Sequence, residues 1–118
     1  MPKKTPEAEK SDIEGIIVYC TVPSIDTGKS IAQGLVKLHL IACASIIPNL
    51  LSIYKWNNQM HEDPECLMLF KSTLPRKDAL IKKIKELHPY EVPEILVTAI
   101  QDGYGPYLAW LKEETKKE

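Results

Sequence analysis

Three cysteines, three histidines and a pair of loop carboxylates carry most of the chemically versatile side chains in this 118-residue chain. Cys20 lies in an apolar run, His88 follows a helix-like pattern, and Glu91 and Glu94 flank a proline. Thiolates, imidazoles and carboxylates bind metals, and carboxylates beside a histidine perform acid–base chemistry. Each also has a plain structural interpretation: a small core cysteine, a histidine at a helix C-terminus and solvated loop carboxylates.

The segment His88–Glu94, with the sequence HPYEVPE, is the most distinctive part of the chain. Two prolines within five residues restrict its backbone, so its histidine, tyrosine and glutamate side chains are held at low entropic cost. Such a segment is typical of a binding loop. A rigid connector that only directs the following strand is the alternative.

The sequence contains no phosphate-binding glycine loop, no H-E-x-x-H and no G-x-S-x-G motif. Lys71, His88 and Glu91 are the best remaining catalytic cluster, but they do not form a nucleophile, base and orienting group at a known spacing. We therefore predict that the protein is not an enzyme.

Composition narrows the class of protein. The chain is 44% hydrophobic and 26% charged with a net charge of −1, which indicates one globular domain and excludes a coiled coil. It lacks the basic surplus that nucleic-acid binding requires, and its apolar runs are too short to span a membrane. The charged N-terminal residues do not resemble a signal peptide, so we expect a cytoplasmic protein.

The first half of the chain predicts a strand, a helix and a long hairpin. Residues 16–22 form a β-branched run that Pro23 ends, and Ser24 or Asp26 can cap a following helix. The inner stripe of that helix is predicted to contain Ile31, Leu35 and Leu38. Residues 41–57 then read as a strand broken at Pro48-Asn49, and Asn57-Asn58 is a hairpin tip before a returning strand at 65–73.

The second half predicts another helix, a fourth strand and a terminal helix. Pro75 opens the helix, Leu80, Ile84 and Leu87 form its inner stripe, and His88-Pro89 ends it. Residues 94–100 are the fourth strand. The terminal helix carries an apolar set, Tyr107, Leu108, Trp110 and Leu111.

This β-α-β-β-α-β order predicts an α+β, ferredoxin-like antiparallel sheet with an extra C-terminal helix. We expect residues 1–12 to be a disordered tail and residues 13–118 to be a single domain. Both faces of the sheet appear apolar around Ile46, Ile47, Leu67 and Leu69. The terminal helix is one cover for the second face, and a homo-oligomer, which we favour, is the other.

Several segments together resemble the CutA-type divalent-cation tolerance proteins over about residues 15–112. They are His88–Glu94, Cys20–Pro23, Ala42-Cys43 with Pro48, Tyr54-x-Trp56, Glu65 with Lys71–Thr73, and Tyr107–Leu111. At the hairpin tip Asn58 stands where the family often has glycine. Because asparagine adopts the same positive-φ turn, that departure is minor.

The resemblance implies a homotrimer whose hairpins reach neighbouring subunits, and a role in tolerance of divalent metal ions. It also implies a copper ion held by Cys20, His88 and Glu94. Leu87 stands where some members have a further histidine.

A second hypothesis is a trimeric signalling or scaffold protein that binds a small ligand or a protein partner in clefts between subunits. Its contacts would come from four residues: Trp56, Lys71, Tyr90 and Glu91.

Overall fold

The computed structural model describes residues 14–117. Its strands are β1 (Gly15–Val22), β2 (Cys43–Trp56), β3 (Gln59–Thr73) and β4 (Leu96–Ala99). Its helices are α1 (Ile25–Lys37), α2 (Lys77–Leu87), preceded by a 3₁₀ turn at Leu74–Arg76, and α3 (Gly105–Glu114). The predicted tail, residues 1–12, lies outside the described residues.

The four strands form one antiparallel sheet in the order β2-β3-β1-β4. This order, with the two central strands β1 and β3 separated in sequence, is the ferredoxin-like arrangement, so the fold prediction is confirmed. Helices α1 and α2 cover one face. Their side chains Ile31, Leu35, Leu80 and Ile84 pack with inward-facing residues of β1 and β3 such as Val18.

Local sequence signals explain where the elements bend and end. The Ser24 side chain accepts a hydrogen bond from the Thr27 N–H and so caps α1. Asn49 has a positive φ at a bulge between Ile47 and Leu50, which is where the strand was predicted to break. Both tip residues of the hairpin, Asn57 and Asn58, also have positive φ, as a tight turn requires.

Four details of the sequence prediction are wrong. Strand β3 begins at Gln59 rather than 65, because its first residues pair with the end of β2, and β4 has only four residues. Leu38 lies just beyond the end of α1, and Leu87 ends α2; both are exposed. The helical period predicted that Leu38 and Leu87 face the core. They are exposed because each lies at the end of its helix, where the helix leaves the sheet.

The second face of the sheet is only partly covered. Helix α3 packs across one end of it, where the Tyr107 hydroxyl lies 3.4 Å from the Cys43 sulfur. The register places five apolar side chains beyond α3 on this same face. This outer apolar patch consists of Tyr19, Ile47, Leu67, Leu69 and Leu96. No helix within residues 14–117 is long and apolar enough to cross a membrane.

Alanine substitutions at the two glycines of α1 are expected to change stability in opposite directions. A Cβ at Gly28 would lie 2.7 Å from the Met68 sulfur, whereas one at Gly34 would meet only Leu87 at 3.7 Å. Gly28→Ala should therefore lower the free energy of unfolding by about 1–3 kcal/mol through overpacking. Gly34→Ala should raise it by about 0.5–1 kcal/mol through helix propensity. Chemical denaturation measures both, and equal effects would contradict this packing.

Candidate functional site

A hairpin arm and a proline-stiffened loop enclose a cleft at one end of the sheet. Strand β1 ends at Val22 opposite Cys66, but β2 and β3 continue as the hairpin arm, residues 50–65. The arm helps to extend the molecule to 53 Å along its longest axis. The loop at residues 88–95 faces it across a cleft of about 650 Å³. Its lining is Thr21, Ser52, Ile53, Tyr54, Trp56, Asp63, Glu65, Pro89, Tyr90, Glu91, Val92 and Glu94.

His88 fixes this loop to the end of β1. The Tyr90 N–H donates to His88 Nδ1 at 3.1 Å, so the proton of the neutral ring resides on Nε2. Nε2 then donates to the Thr21 carbonyl at 2.8 Å. Both ring nitrogens are therefore used, and the buried His88 ring packs against the Tyr90 ring with 4.7 Å between centroids. The predicted plain role of His88 at a helix end is incomplete, because the ring joins three segments.

Tyr90 connects the same loop to the hairpin arm. Its hydroxyl donates to Glu65 Oε2 at 2.7 Å. Burial of the phenol and this bond to the Glu65 carboxylate both raise the pKa of Tyr90. The hydroxyl therefore stays protonated and acts as a donor, which suits a carboxylate acceptor that is only 8% exposed.

Cys20 lies behind the cleft in the hydrophobic core. Its side chain is fully buried, and burial raises the pKa of its thiol from 9.0 to about 12. The charges of Glu94 and Glu65 add to that rise. Cys20 is therefore a protonated thiol at neutral pH, and the charges of two nearby carboxylates contribute to its raised pKa.

The predicted site residues divide into three groups. Trp56, Tyr90, Glu91 and Glu94 line the cleft. Cys20 and His88 lie behind its wall. Lys71 does not line this cleft, because it pairs with Cys43 and Ile17 near the covered end of the sheet. Its predicted contact in a cleft between subunits stays a prediction. The pattern of an isolated lysine in an apolar strand does not reveal which end of the strand meets the loop.

Three further lining residues were not singled out as site residues from the sequence. Glu65 anchors Tyr90, and Tyr54 donates to Asp63 while its ring stacks on His61 at 5.2 Å. That hydrogen bond to Asp63 raises the pKa of Tyr54. The sequence signal for this contact was the alternation of side chains along the two hairpin strands. It places Tyr54 and Asp63 in neighbouring cross-strand pairs on the same face.

The residue types near the cleft suit copper, but their positions do not form a copper site. Sulfur, imidazole and carboxylate suit copper, but both His88 nitrogens are hydrogen-bonded. Within residues 14–117 no three histidine, cysteine or acidic side chains are grouped so as to hold a metal ion. A metal ion bound here would need a changed loop or ligands from another subunit.

The chain has a ferredoxin-like fold with an acidic, aromatic cleft at one end of its sheet. Residues 16–114 match the family model described as CutA1 divalent ion tolerance protein. The divalent-cation tolerance protein CutA of Thermus thermophilus is 44% identical over 99 residues, which cover 84% of this chain and 96% of that protein. The chain therefore belongs to the CutA1 divalent ion tolerance family.

Other relatives agree with this family assignment. The crystal structure of CutA1 from Oryza sativa superimposes with a TM-score of 0.86 at 36% identity, covering 90% of this chain and 97% of that one. The curated chloroplastic CutA 1 of Oryza sativa subsp. japonica is 35% identical over 94% of this chain, which spans 63% of that longer protein. The resemblance stated from the sequence motifs is confirmed.

The raised pKa of Cys20 predicts a specific loss of stability in alkali. Because the folded state holds the thiol proton more tightly than the unfolded state, this contribution is complete below pH 9 and is lost as pH rises towards 12. The free energy of unfolding should fall by about 1 kcal/mol per pH unit in this range through Cys20 alone. Denaturation curves of the parent and Cys20→Ala, compared at each pH, isolate this contribution. Parallel pH profiles would contradict it.

Proposed function

We propose that this protein acts in divalent-cation tolerance as a cytoplasmic homotrimer, and that copper is the cation it binds. Its family and its relative from Thermus thermophilus carry that tolerance function in their names. The cysteines Cys20, Cys43 and Cys66 are all unpaired, which fits a reducing compartment such as the cytoplasm. The proposal includes no catalytic step.

The observation that carries the copper assignment is that Cys20 lies close enough to Glu94 and Glu65 for their charges to act on its thiol. Burial keeps this soft sulfur protonated, and the negative charge of the two carboxylates adds to that effect. A bound cation reverses this balance, because its charge stabilises the thiolate and releases the proton. The same carboxylates attract the cation.

His88 completes the proposed set, with one condition. Its Nε2 proton points at the Thr21 carbonyl, so metal ligation there requires the ring to leave that bond. The loop must then shift, or a ligand from a neighbouring subunit must replace His88. Either way, copper binding is coupled to the conformation of the loop.

A copper titration of the reduced protein against a competing chelator tests this proposal. Cys20→Ser and Glu94→Gln should each weaken binding at least tenfold, whereas Glu86→Gln, an exposed control on α2, should not. Because Cys20 is in the core, circular dichroism and oligomer mass are measured for every variant. Binding that is weak in the parent, or equal in all folded variants, would refute the copper assignment.

The trimer assignment is supported by the outer apolar patch. Its members lie side by side across three neighbouring strand pairs, and two of them, Ile47 and Leu96, are exposed in the single subunit. The hairpin arm also exposes two apolar side chains outside the cleft, Leu51 and Met60. Two such surfaces on one small subunit are typical of a protein buried in an assembly.

A charged side chain introduced into the outer apolar patch should dissociate the trimer. Light scattering should give about three times the 13.4 kDa subunit mass for the parent and a smaller species for Ile47→Asp. Ile25→Asp is the matched control, because Ile25 is 46% exposed and Ile47 42%, but Ile25 begins α1 away from the patch. A monomeric parent, or equal masses for both variants, would contradict the proposal.

A further inference from the structure

The lining of the cleft combines negatively charged side chains with aromatic rings. Four of its twelve residues are acidic and none is basic: Asp63 and Glu65 on the hairpin arm, Glu91 and Glu94 on the loop. Three are aromatic: Tyr54, Trp56 and Tyr90. Negative charge attracts any cation at a distance. An aromatic ring attracts a cation only when the cation lies against the face of the ring.

These two surfaces favour an organic cation over a metal ion. Aromatic rings do not ligate divalent metals, and within residues 14–117 no three histidine, cysteine or acidic side chains are grouped so as to hold one. The carboxylates instead lie on both walls of a cleft of about 650 Å³, which is the size of a small-molecule site. An elongated molecule with several separated positive charges can reach both walls.

Glu65 adds a nearly buried carboxylate to the lining of the cleft. Its side chain is only 8% exposed, and Tyr90 is its one hydrogen-bond partner among residues 14–117. Tyr90 binds Oε2, which leaves Oε1 without a donor. No fully buried side-chain oxygen in the described residues lacks a hydrogen bond, so Oε1 is reached through the cleft that Glu65 lines. A nearly buried carboxylate with one open oxygen is a strong acceptor for an ammonium N–H.

We propose that this cleft binds an aliphatic polyamine, with an ammonium group on Glu65, its carbon chain and charge against Trp56, and further ammonium groups on Glu91 and Glu94. The site is distinct from the copper set in its critical residues, because Cys20 and His88 do not line the cleft. Glu94 and the negative charge of Glu65 serve both proposals. Because Cys20 serves only the copper site and Trp56 only the polyamine site, the two proposals can fail independently.

Isothermal titration calorimetry with spermidine tests the polyamine site, at fixed ionic strength and with magnesium chloride as the competitor. Trp56→Ala and Glu65→Gln should each weaken spermidine binding about tenfold, since they remove the cation–π contact and the buried charge. Tyr104→Ala and Glu86→Gln are the matched controls, because each is exposed and outside the cleft. Both controls should bind as the parent does.

The competing result is general attraction of cations to an acidic surface. In that case magnesium would displace spermidine at equal charge concentration, and Trp56→Ala would bind like the parent; either finding overturns the proposal. Glutamine at position 65 keeps an acceptor for Tyr90, and Trp56 is 46% exposed, so both variants should fold. Cys20→Ser separates the two sites, because it should abolish copper binding and leave spermidine binding unchanged.

Discussion

The hydrogen bonds of one histidine ring hold the functional end of this subunit together. His88 accepts from the Tyr90 N–H and donates to the Thr21 carbonyl, so it joins the end of α2, the loop and the last residues of β1. Because the ring is buried, losing either bond would leave a polar atom without a partner. The position of Tyr90, and through it the contact with Glu65, follows from this bridge. The loop is therefore tied to both the sheet and the hairpin arm.

The cleft exists because the strands of one sheet differ in length. β1 ends at Val22, opposite Cys66, while β2 and β3 continue to pair with each other as the hairpin arm. Beyond Cys66, β1 therefore no longer covers the edge of β3. The loop fills part of this space and leaves a cleft with acidic and aromatic walls. The same construction puts the Cys20 sulfur behind the wall, within reach of the charges of Glu94 and Glu65. The acidic and aromatic character of this end of the molecule is thus a product of strand length and loop stiffness.

The sequence predicted the elements well and the site only in part. Apolar runs and periodicity predicted most of the strands and helices, Pro48-Asn49 marked the bulge, and Asn57-Asn58 marked the tip, since each signal acts within a few residues. The sheet arrangement followed from the β-α-β-β-α-β order of these elements. Leu38 and Leu87 were misplaced because a helical period continues past the point where the helix leaves the sheet. The contact of Tyr90 with Glu65 joins residues 25 apart and depends on how far the arm extends. Lys71 lies at the other end of the sheet from this cleft, because position along a strand decides which end a side chain occupies, and local pattern does not encode it.

The most direct measurement for this account is the protonation state of the His88 ring by ¹⁵N–¹H nuclear magnetic resonance at neutral pH. A neutral ring with the proton on Nε2 and a bare Nδ1 is the predicted result, because the Tyr90 N–H needs an acceptor and the Thr21 carbonyl needs a donor. The spectrum of His88→Ala identifies the signal. A doubly protonated ring, or a proton on Nδ1, would contradict the bridge and with it the proposed organisation of the cleft.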